Sequence, residues 1–121
     1  MAGSHELGKR GEELAAQYFR DKGYKILETN WRFGHNELDL IAKDGNTLVV
    51  AEVKTRHSNA LGEPEMAVTR DKQRAIIRSA NAFVRFRRLN MEVRFDIVSI
   101  LITGDQVQIN HIPDAFYAIV K

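Results

Sequence analysis

The spacing of apolar residues divides the chain into two helical segments and a set of strand-like runs. Between residues 7 and 22, apolar and small side chains recur every three or four positions, which places them on one face of a helix that Gly23 ends. A segment from about residue 65 to residue 89 has the same period and gives the strongest helix signal in the chain. The predicted apolar face of this second helix consists of Ile76, Ile77, Ala80, Phe83 and Val84.

Shorter apolar runs predict strands before and after the second helix. These runs are residues 24–31, 37–42, 47–53, 93–102 and 106–112. The second and third runs flank Asp44-Gly45, a pair typical of a tight hairpin turn. The order helix, three strands, helix, two strands predicts an α/β fold in which helices flank a mixed sheet.

The composition is that of a single folded domain over residues 1–121. A hydrophobic fraction of 44%, with two prolines and eight glycines, argues against disorder. The chain has no cysteine, which excludes disulfides and thiolate zinc sites and favours a cytoplasmic location. We expect residues 1–7 to form a flexible N-terminal segment. No run approaches the ~20 apolar residues that span a bilayer, so we expect neither a signal peptide nor a membrane partner.

Positive charge is concentrated in the second half of the chain. The net charge is only +2, but the 18 lysines and arginines are dense between Arg70 and Arg94. At ~100° per residue, one stripe of the second helix carries a row of arginines. The row consists of Arg70, Arg74, Arg78, Arg85 and Arg88. This pattern suits contact with phosphates, and it also fits an ordinary solvated helix face.

Two acidic residues are predicted to meet across the hairpin. Side chains alternate between the faces of a strand, so Asp39 lies on one face of its strand, while Glu52, Lys54 and Arg56 share one face of the next. With the turn centred on residues 44–46, Asp39 falls opposite or next to Glu52, within about 4.5 to 5.5 Å for a direct cross-strand pair. Like charges in this arrangement are destabilising unless something neutralises them.

A divalent cation neutralises such a pair. Mg²⁺ takes oxygen ligands, usually one or two carboxylates with waters and substrate phosphate, so Asp39, Glu52 and the Val53 carbonyl are candidate ligands. Lys54 is placed to hold an attacking water or to stabilise charge on a phosphate. The alternative is a plain salt bridge from Lys54 to Asp39 or Glu52 on a solvated face. The nearly continuous apolar run at 48–53 indicates instead a strand buried on both faces, where charges usually serve a site.

Several segments resemble the YraN family of bacterial endonuclease-like proteins. They are GKRGEELA at 8–15, ELDLI at 37–41, VAEVKTR at 50–56, RFDIV at 94–98 and HIPDAF at 111–116. The resemblance covers residues 8–116, nearly the whole chain. It implies the PD-(D/E)XK nuclease superfamily, a restriction-endonuclease-like fold and a character similar to archaeal-type Holliday junction resolvases.

The resemblance also implies roles for particular residues. Asp39 matches the metal-binding aspartate of the superfamily, and Glu52 and Lys54 match its E-x-K element. Glu12 matches a glutamate of the first helix that reaches toward the metal in resolvase-like members. Asn36 departs from the family pattern, which usually has glycine before the Glu-Leu-Asp segment. Leu38 stands where the superfamily name has proline, a change that is common in this branch.

The implied function is a Mg²⁺- or Mn²⁺-dependent endonuclease acting on branched DNA, with catalytic residues Asp39, Glu52, Lys54 and Glu12. A two-fold homodimer is expected if the enzyme makes paired cuts. One alternative is a non-catalytic nucleic-acid-binding module on the same fold. Another is a protein-interaction module whose arginine stripe faces acidic residues of a partner.

Four further residues have roles predicted from their positions in the sequence, and two of them have more than one interpretation. Glu12 lies in the first turns of a helix, where the dipole favours carboxylates without any metal. Gln73, on the apolar side of the second helix, would support the site through Lys54 or a water, or bind backbone. Arg56 joins Arg70, Arg74 and Arg78 as a predicted nucleic-acid contact. Asp96, inside an apolar strand, is expected to pair with Arg94 or Lys54 in a structural role.

Overall fold

A computed structural model describes residues 4–57 and 68–117 as one α/β arrangement. Its elements are α1 (Ser4–Asp21), β1 (Lys25–Phe33), β2 (Asn36–Asp44), β3 (Thr47–His57), α2 (Arg70–Arg87), β4 (Glu92–Thr103) and β5 (Gln106–Phe116). This order agrees with the predicted α-β-β-β-α-β-β arrangement. Within the described ranges, no helix is long and apolar enough to cross a membrane.

The strands form one mixed sheet in which β3 is the central strand. The five strands lie side by side in chain order. Strands β1 and β2, β2 and β3, and β4 and β5 pair antiparallel, whereas β3 and β4 pair parallel along their full length. The parallel pair requires a crossover connection, and α2 lies within it. The sheet is therefore mixed, as predicted.

The two helices cover opposite faces of the sheet. On one face, α1 buries Ala15 and Phe19 in a cluster that includes Val49 and Ala51 of β3. On the other, α2 packs its apolar stripe in a cluster with Val50 and its neighbours on β3. Residues 48–51 of β3 are at most 1% exposed. The prediction of a strand buried on both faces is confirmed.

The boundaries of several elements differ from those predicted. Helix α1 begins at Ser4, so it includes residues 4–7, and the flexibility expected of the N-terminal segment stays a prediction. Glu6 in the first turn suits the positive end of the helix dipole. Helix α2 begins only at Arg70, because the hydroxyl of Thr69 accepts a hydrogen bond from the Lys72 backbone and caps the helix. The predicted start near residue 65 lies outside the described residues. The helix ends at Arg87, since the following residue is left-handed.

A buried ionic network joins the sheet to α1. Asp96 of β4 is fully buried and accepts two hydrogen bonds of 2.9 Å from Arg94. A ring nitrogen of His111 lies 2.7 Å from the same carboxylate, and the Asp114 backbone donates at 3.0 Å. The other ring nitrogen of His111 lies 3.2 Å from the hydroxyl of Tyr18 on α1. Burial raises the pKa of Asp96, but the bonds from His111 and Arg94 outweigh it and lower the pKa overall. The expected pairing with Arg94 is confirmed.

Helix α1 approaches β3 most closely at Gly11. A Cβ atom at this position would lie 1.8 Å from Oγ1 and 2.8 Å from Cβ of Thr55. Thr55 directly follows Lys54 on β3, so this contact fixes the helix against the part of the strand that carries the predicted site. A Cβ atom added at Gly8, one turn earlier in the same helix, would have no other atom within 4 Å.

We predict opposite effects of alanine at these two glycines. Gly11→Ala should lower the free energy of unfolding by about 1–3 kcal/mol, because α1 must move away from Thr55. Gly8→Ala should raise it by up to about 1 kcal/mol through helix propensity alone. Denaturant titration of both variants measures the difference. Equal effects would show that α1 does not depend on a side-chain-free contact at Gly11.

Candidate active site

The register of the central hairpin brings Asp39 and Glu52 together. Leu40 pairs with Ala51 across β2 and β3, so Asp39 and Glu52 are the next residues on the two strands. The turn at Gly45, with φ of 60°, gives the hairpin this register. The two carboxyl groups are close enough to share a hydrogen bond when Asp39 is protonated. The predicted juxtaposition of these two acids is therefore present.

The pair is electrostatically strained in the absence of a counter-charge. Burial, together with the neighbouring carboxyl of Glu52, raises the pKa of Asp39 from its ordinary value of 3.8 to about 8. A hydrogen bond from the Val53 backbone N–H, 2.9 Å long, and the charge of Lys72 act in the opposite direction without offsetting this rise. The site thus favours a bound proton or another cation.

Glu52 takes its ionic partner from α2 and not from its own strand. Lys72 Nζ lies 3.8 Å from Oε1 of Glu52, whose side chain is only 9% exposed. The same Oε1 atom is buried and has no hydrogen-bond partner among the described residues. A buried carboxylate oxygen with unused capacity is a suitable ligand for a cation.

Lys54 lies two residues beyond Glu52 on β3, partly buried and opposite Ser99 of β4. Within the described part of the chain, it forms no salt bridge to Asp39 or Glu52. The alternative interpretation of Lys54 as their structural ion-pair partner is therefore not supported. Arg56 follows on the same strand and is also partly buried.

A polar cleft opens between the β1–β2 turn and the first half of α2. Its volume is about 170 Å³. The residues lining it are His35, Asn36, Glu37, Asp39, Lys72, Ala75, Ile76 and Ser79. Asp39 therefore belongs both to the carboxylate pair and to the wall of the cleft, so a ligand in the cleft lies beside the pair.

Glu12 is not part of this cluster. It projects from α1 and accepts a hydrogen bond of 3.0 Å from the side-chain amide of Asn30 on β1. Within residues 4–57 and 68–117, no group of three or more acidic or histidine side chains is placed to hold a metal ion. The structure does not bring Glu12 together with Asp39 and Glu52 as the resemblance implies, and a catalytic role for Glu12 stays a prediction.

Gln73 binds backbone and does not contact the site. Its side-chain nitrogen donates a 2.9 Å hydrogen bond to the carbonyl of Val68, just before the helix. Of the two interpretations made from the sequence, the backbone partner is the one observed. Gln73 therefore fixes the chain at the N-terminal end of α2 and leaves the side of the helix facing the cleft to other residues.

The arginine stripe faces away from the sheet. At ~100° per residue, Arg74 and Arg78 lie on the side of α2 opposite its buried residues, and Arg70, Arg74 and Arg78 are all exposed. Arg74 forms a 2.6 Å salt bridge with Asp71 on the same surface. Exposed pairs of this kind contribute little to stability, so these side chains are available to a ligand that runs over the outer surface of α2.

Two aromatic residues of β1 lie next to the cleft. Trp31 and Phe33 are stacked with ring centroids 6.2 Å apart, and Trp31 packs edge-on against Phe83 of α2. Phe33 is 43% exposed and pairs with Asn36, which lines the cleft. Phe19 is fully buried, as expected for a core residue.

Sequence reasoning missed Lys72 and Ser79. Both lie on the stripe of α2 that also carries Ile76 and Phe83, at spacings of four and three residues. Ser79 is fully buried, and its hydroxyl has no hydrogen-bond partner in the described part of the chain. The sequence signal that could have identified them is the presence of two polar residues on an otherwise apolar stripe of the helix. Their role depends on which strands the helix packs against, and the helical period of the sequence gives no information about that packing.

The fold and the hairpin pair together define the class of the chain as an α/β protein with an acidic site on a mixed, nuclease-like sheet. Comparison with known proteins gives the family. Residues 11–100 match the family described as Uncharacterised protein family UPF0102. The chain belongs to this family, also called the YraN family, which confirms the resemblance.

Individual relatives match along nearly their full length. A UPF0102 protein of Chlorobium chlorochromatii is 48% identical over 118 residues, covering 93% of this chain and 92% of the relative. One from Christiangramia forsetii is 46% identical over 117 residues, covering 97% and 98%. One from Geobacter metallireducens is 47% identical over 111 residues, covering 91% of each. These names describe a family without an assigned activity, so the site itself must supply the functional hypothesis.

We predict that Asp39→Asn stabilises the metal-free protein, and more at pH 9 than at pH 5. Folding raises the pKa of Asp39 from 3.8 to about 8. Between these values the folded protein retains a proton that the unfolded chain has lost, so the free energy of unfolding falls as pH rises. Asparagine does not titrate, and its side-chain oxygen still accepts the Val53 N–H. With about 1.4 kcal/mol per pKa unit, the gain at pH 9 should exceed about 1 kcal/mol.

Thermal unfolding at pH 5, 7 and 9 measures this effect. Asp105→Asn is the control, since Asp105 is exposed in the β4–β5 turn. The same pH dependence in both variants would mean that Asp39 carries no raised pKa.

Proposed function

We propose that this protein is a Mg²⁺- or Mn²⁺-dependent endonuclease that cleaves phosphodiester bonds in structured DNA, such as junctions or branches. The observation that carries the proposal is the pair formed by half-buried Asp39 and buried Glu52 on adjacent strands, beside a polar cleft. The pair is unfavourable by itself and favourable around a cation. Membership of the UPF0102 family is compatible with this proposal and does not by itself assign it.

The donor set fits a hard divalent cation. The carboxylates of Asp39 and Glu52 supply the oxygen ligands that Mg²⁺ uses when waters and phosphate complete its shell, and Oε1 of Glu52 has no hydrogen-bond partner among the described residues. The Val53 carbonyl stays a candidate third ligand, while its N–H orients Asp39. A bound cation would polarise the phosphate and lower the pKa of a water nucleophile. The pairing of β2 with the central strand β3 holds these oxygens side by side.

Lys54 is proposed as the residue that acts on the reacting groups. It follows Glu52 on the same strand, and the described residues provide it with no competing carboxylate. An ammonium group in this position would orient the attacking water or stabilise negative charge that develops on the phosphate. Its partial burial strengthens such an interaction relative to one in bulk water.

The surface around the site offers contacts for a nucleic acid. Arg70, Arg74 and Arg78 are exposed on the outer surface of α2, and Arg56 continues β3 beyond Lys54. Arginine binds phosphate in a bidentate manner. We assign these residues to contacts with the sugar-phosphate backbone of the nucleic acid, which position a substrate without reading its sequence. A substrate with two scissile strands would call for a two-fold homodimer.

A non-catalytic nucleic-acid-binding module is the second candidate function. The observation that favours it is the separation of Glu12 from the carboxylate pair, which leaves two acidic ligands in the described site. In this case the protein would bind the same DNA, with or without metal, and cleave none. Cleavage assays on a junction, a flap and a single strand distinguish the two functions.

We predict that Lys54→Ala separates metal binding from cleavage. Lysine is no metal ligand while protonated, so Mn²⁺ affinity measured by calorimetry should be unchanged or slightly higher. Single-turnover cleavage of a four-way junction, flap or single-stranded DNA in saturating Mn²⁺ should fall by about 10²- to 10³-fold, as for loss of one transition-state contact.

Asp39→Asn and Glu52→Gln serve as controls, because both should weaken Mn²⁺ binding. If all of these variants bind Mn²⁺ like the wild type, the metal site is absent. If the wild type cuts and Lys54→Ala cuts equally fast, Lys54 has no catalytic role. If the wild type binds metal and DNA but cuts none of the substrates, the binding-module function applies.

We also predict that Arg74→Ala combined with Arg78→Ala weakens DNA binding without changing the melting temperature. Both side chains are exposed, and the Arg74 salt bridge is a weak surface pair. If both contact phosphates, the slope of log affinity against log salt should shrink by about 0.9 for each lost contact on duplex DNA. An unchanged slope would assign the stripe to solvent or to a protein partner.

A further inference from the structure

We propose that the cleft beside Asp39 holds a phosphate group of the nucleic acid and that Lys72 binds this phosphate. In doing so, Lys72 gives up its contact with Glu52. This inference rests on the proposed function, because the exchange requires a divalent cation at the carboxylate pair. It adds a substrate contact on α2 to a site otherwise built from β2 and β3.

The position of Lys72 is unfavourable for the helix alone. Thr69 caps α2 and accepts a hydrogen bond from the Lys72 backbone, so Lys72 is the third residue of the helix. That position favours a glutamate or glutamine, which would bind the cap residue in return. A cation there adds to the positive end of the helix dipole. Lys72 and the N-terminal end of α2 together present concentrated positive charge to the cleft.

The contact of Lys72 with Glu52 is loose enough to exchange. The nitrogen and oxygen are 3.8 Å apart, beyond hydrogen-bond length, and the lysine side chain is 55% exposed. With a divalent cation bound by Asp39 and Glu52, the charge of Glu52 is already compensated. The ammonium group is then repelled by that cation and is free to turn toward an anion in the cleft.

The cleft contains a second, independent sign of a ligand. Ser79 lines it, is fully buried, and has a hydroxyl without a hydrogen-bond partner in the described part of the chain. Leaving a buried hydroxyl unpaired is unfavourable, and such groups usually have a partner. An oxygen of a phosphate group would accept from Ser79 at the floor of the cleft and from Lys72 at its side. His35 and Asn36 supply further donors at the entrance.

The acidic residues of the lining do not oppose this assignment. Glu37 is placed with its carboxylate 4.0 Å from the guanidinium of Arg32 on the neighbouring strand. Asp39 faces the cleft, and its charge is taken up by the proposed cation. The phosphate then lies between two positive charges, the cation and Lys72, which is the arrangement expected for a phosphodiester held next to a metal.

Binding of DNA with and without metal tests the exchange. Ca²⁺ is used as an oxygen-binding cation of less regular geometry than Mg²⁺, with gels to verify that the DNA stays intact. Lys72→Met should lower the affinity for single-stranded and junction DNA about tenfold in Ca²⁺, as for loss of one charged hydrogen bond. Without metal it should change the affinity little, because Lys72 is then engaged with Glu52. Lys72→Arg should restore most of the binding.

Lys43→Met is the matched control, since it removes the same charge from an exposed position at the far end of β2. Mn²⁺ affinity should rise by up to about fivefold in Lys72→Met, because a competing surface ion pair is lost. An unchanged DNA affinity, or an equal loss with and without metal, would overturn the exchange. Mn²⁺ binding that is insensitive to Asp39→Asn would instead identify failure of the proposed metal site, and the exchange would fall with it.

Ser79→Ala tests whether the hydroxyl at the floor of the cleft binds phosphate. Asn81→Ala, on the exposed side of the same helix, is the control. Serine and asparagine have similar helix propensities, so both variants gain alike from alanine. Ser79→Ala should raise the melting temperature further, by removing the unpaired hydroxyl, while lowering DNA affinity in Ca²⁺. A lower melting temperature, or unchanged DNA affinity, would show that Ser79 has a structural role and would overturn the phosphate site.

Discussion

The repulsion between two carboxylates on the adjacent strands β2 and β3 is the interaction on which the candidate site depends. The hairpin register leaves Asp39 and Glu52 no means of separating, since a slip of one residue would turn every side chain of the strand to the opposite face. The strain can be relieved by a proton, by Lys72 or by a divalent cation. The proton of Asp39 and the contact of Lys72 with Glu52 both relieve this pair, and the proposed cation would compete with both of them.

Asp96 and Asp39, two acids of the described sheet, illustrate how environment assigns a role. Asp96 has Arg94, His111 and a backbone amide around it, so its charge is compensated and its pKa is lowered. Asp39 has another carboxyl group beside it, and its pKa is raised. The compensated charge of Asp96 joins the sheet to α1, whereas Asp39 holds its proton to a much higher pH than an ordinary aspartate. Strongly perturbed acids in a cleft are enriched at functional sites, which is why the second acid defines the site.

Helix α2 presents two different polar surfaces near the candidate site. Its outer surface carries the exposed arginines, and the side turned toward β2 carries Lys72 and Ser79 at the cleft. The N-terminal cap at Thr69 sets where the first turn begins, and thereby how far Lys72 reaches toward Glu52. A nucleic acid passing over the beginning of this helix would contact both surfaces.

The sequence by itself determined the order of elements, the central position of β3 and the pairing of Asp39 with Glu52. These follow from short-range rules: the apolar period, the turn at Gly45 and the alternation of side chains along paired strands. Only the tertiary structure decided that Lys72 reaches Glu52, that Ser79 is buried at the cleft and that Glu12 binds Asn30. Each of these features brings together residues from different elements of the fold. Their geometry depends on how helices pack on the sheet, which no local period specifies.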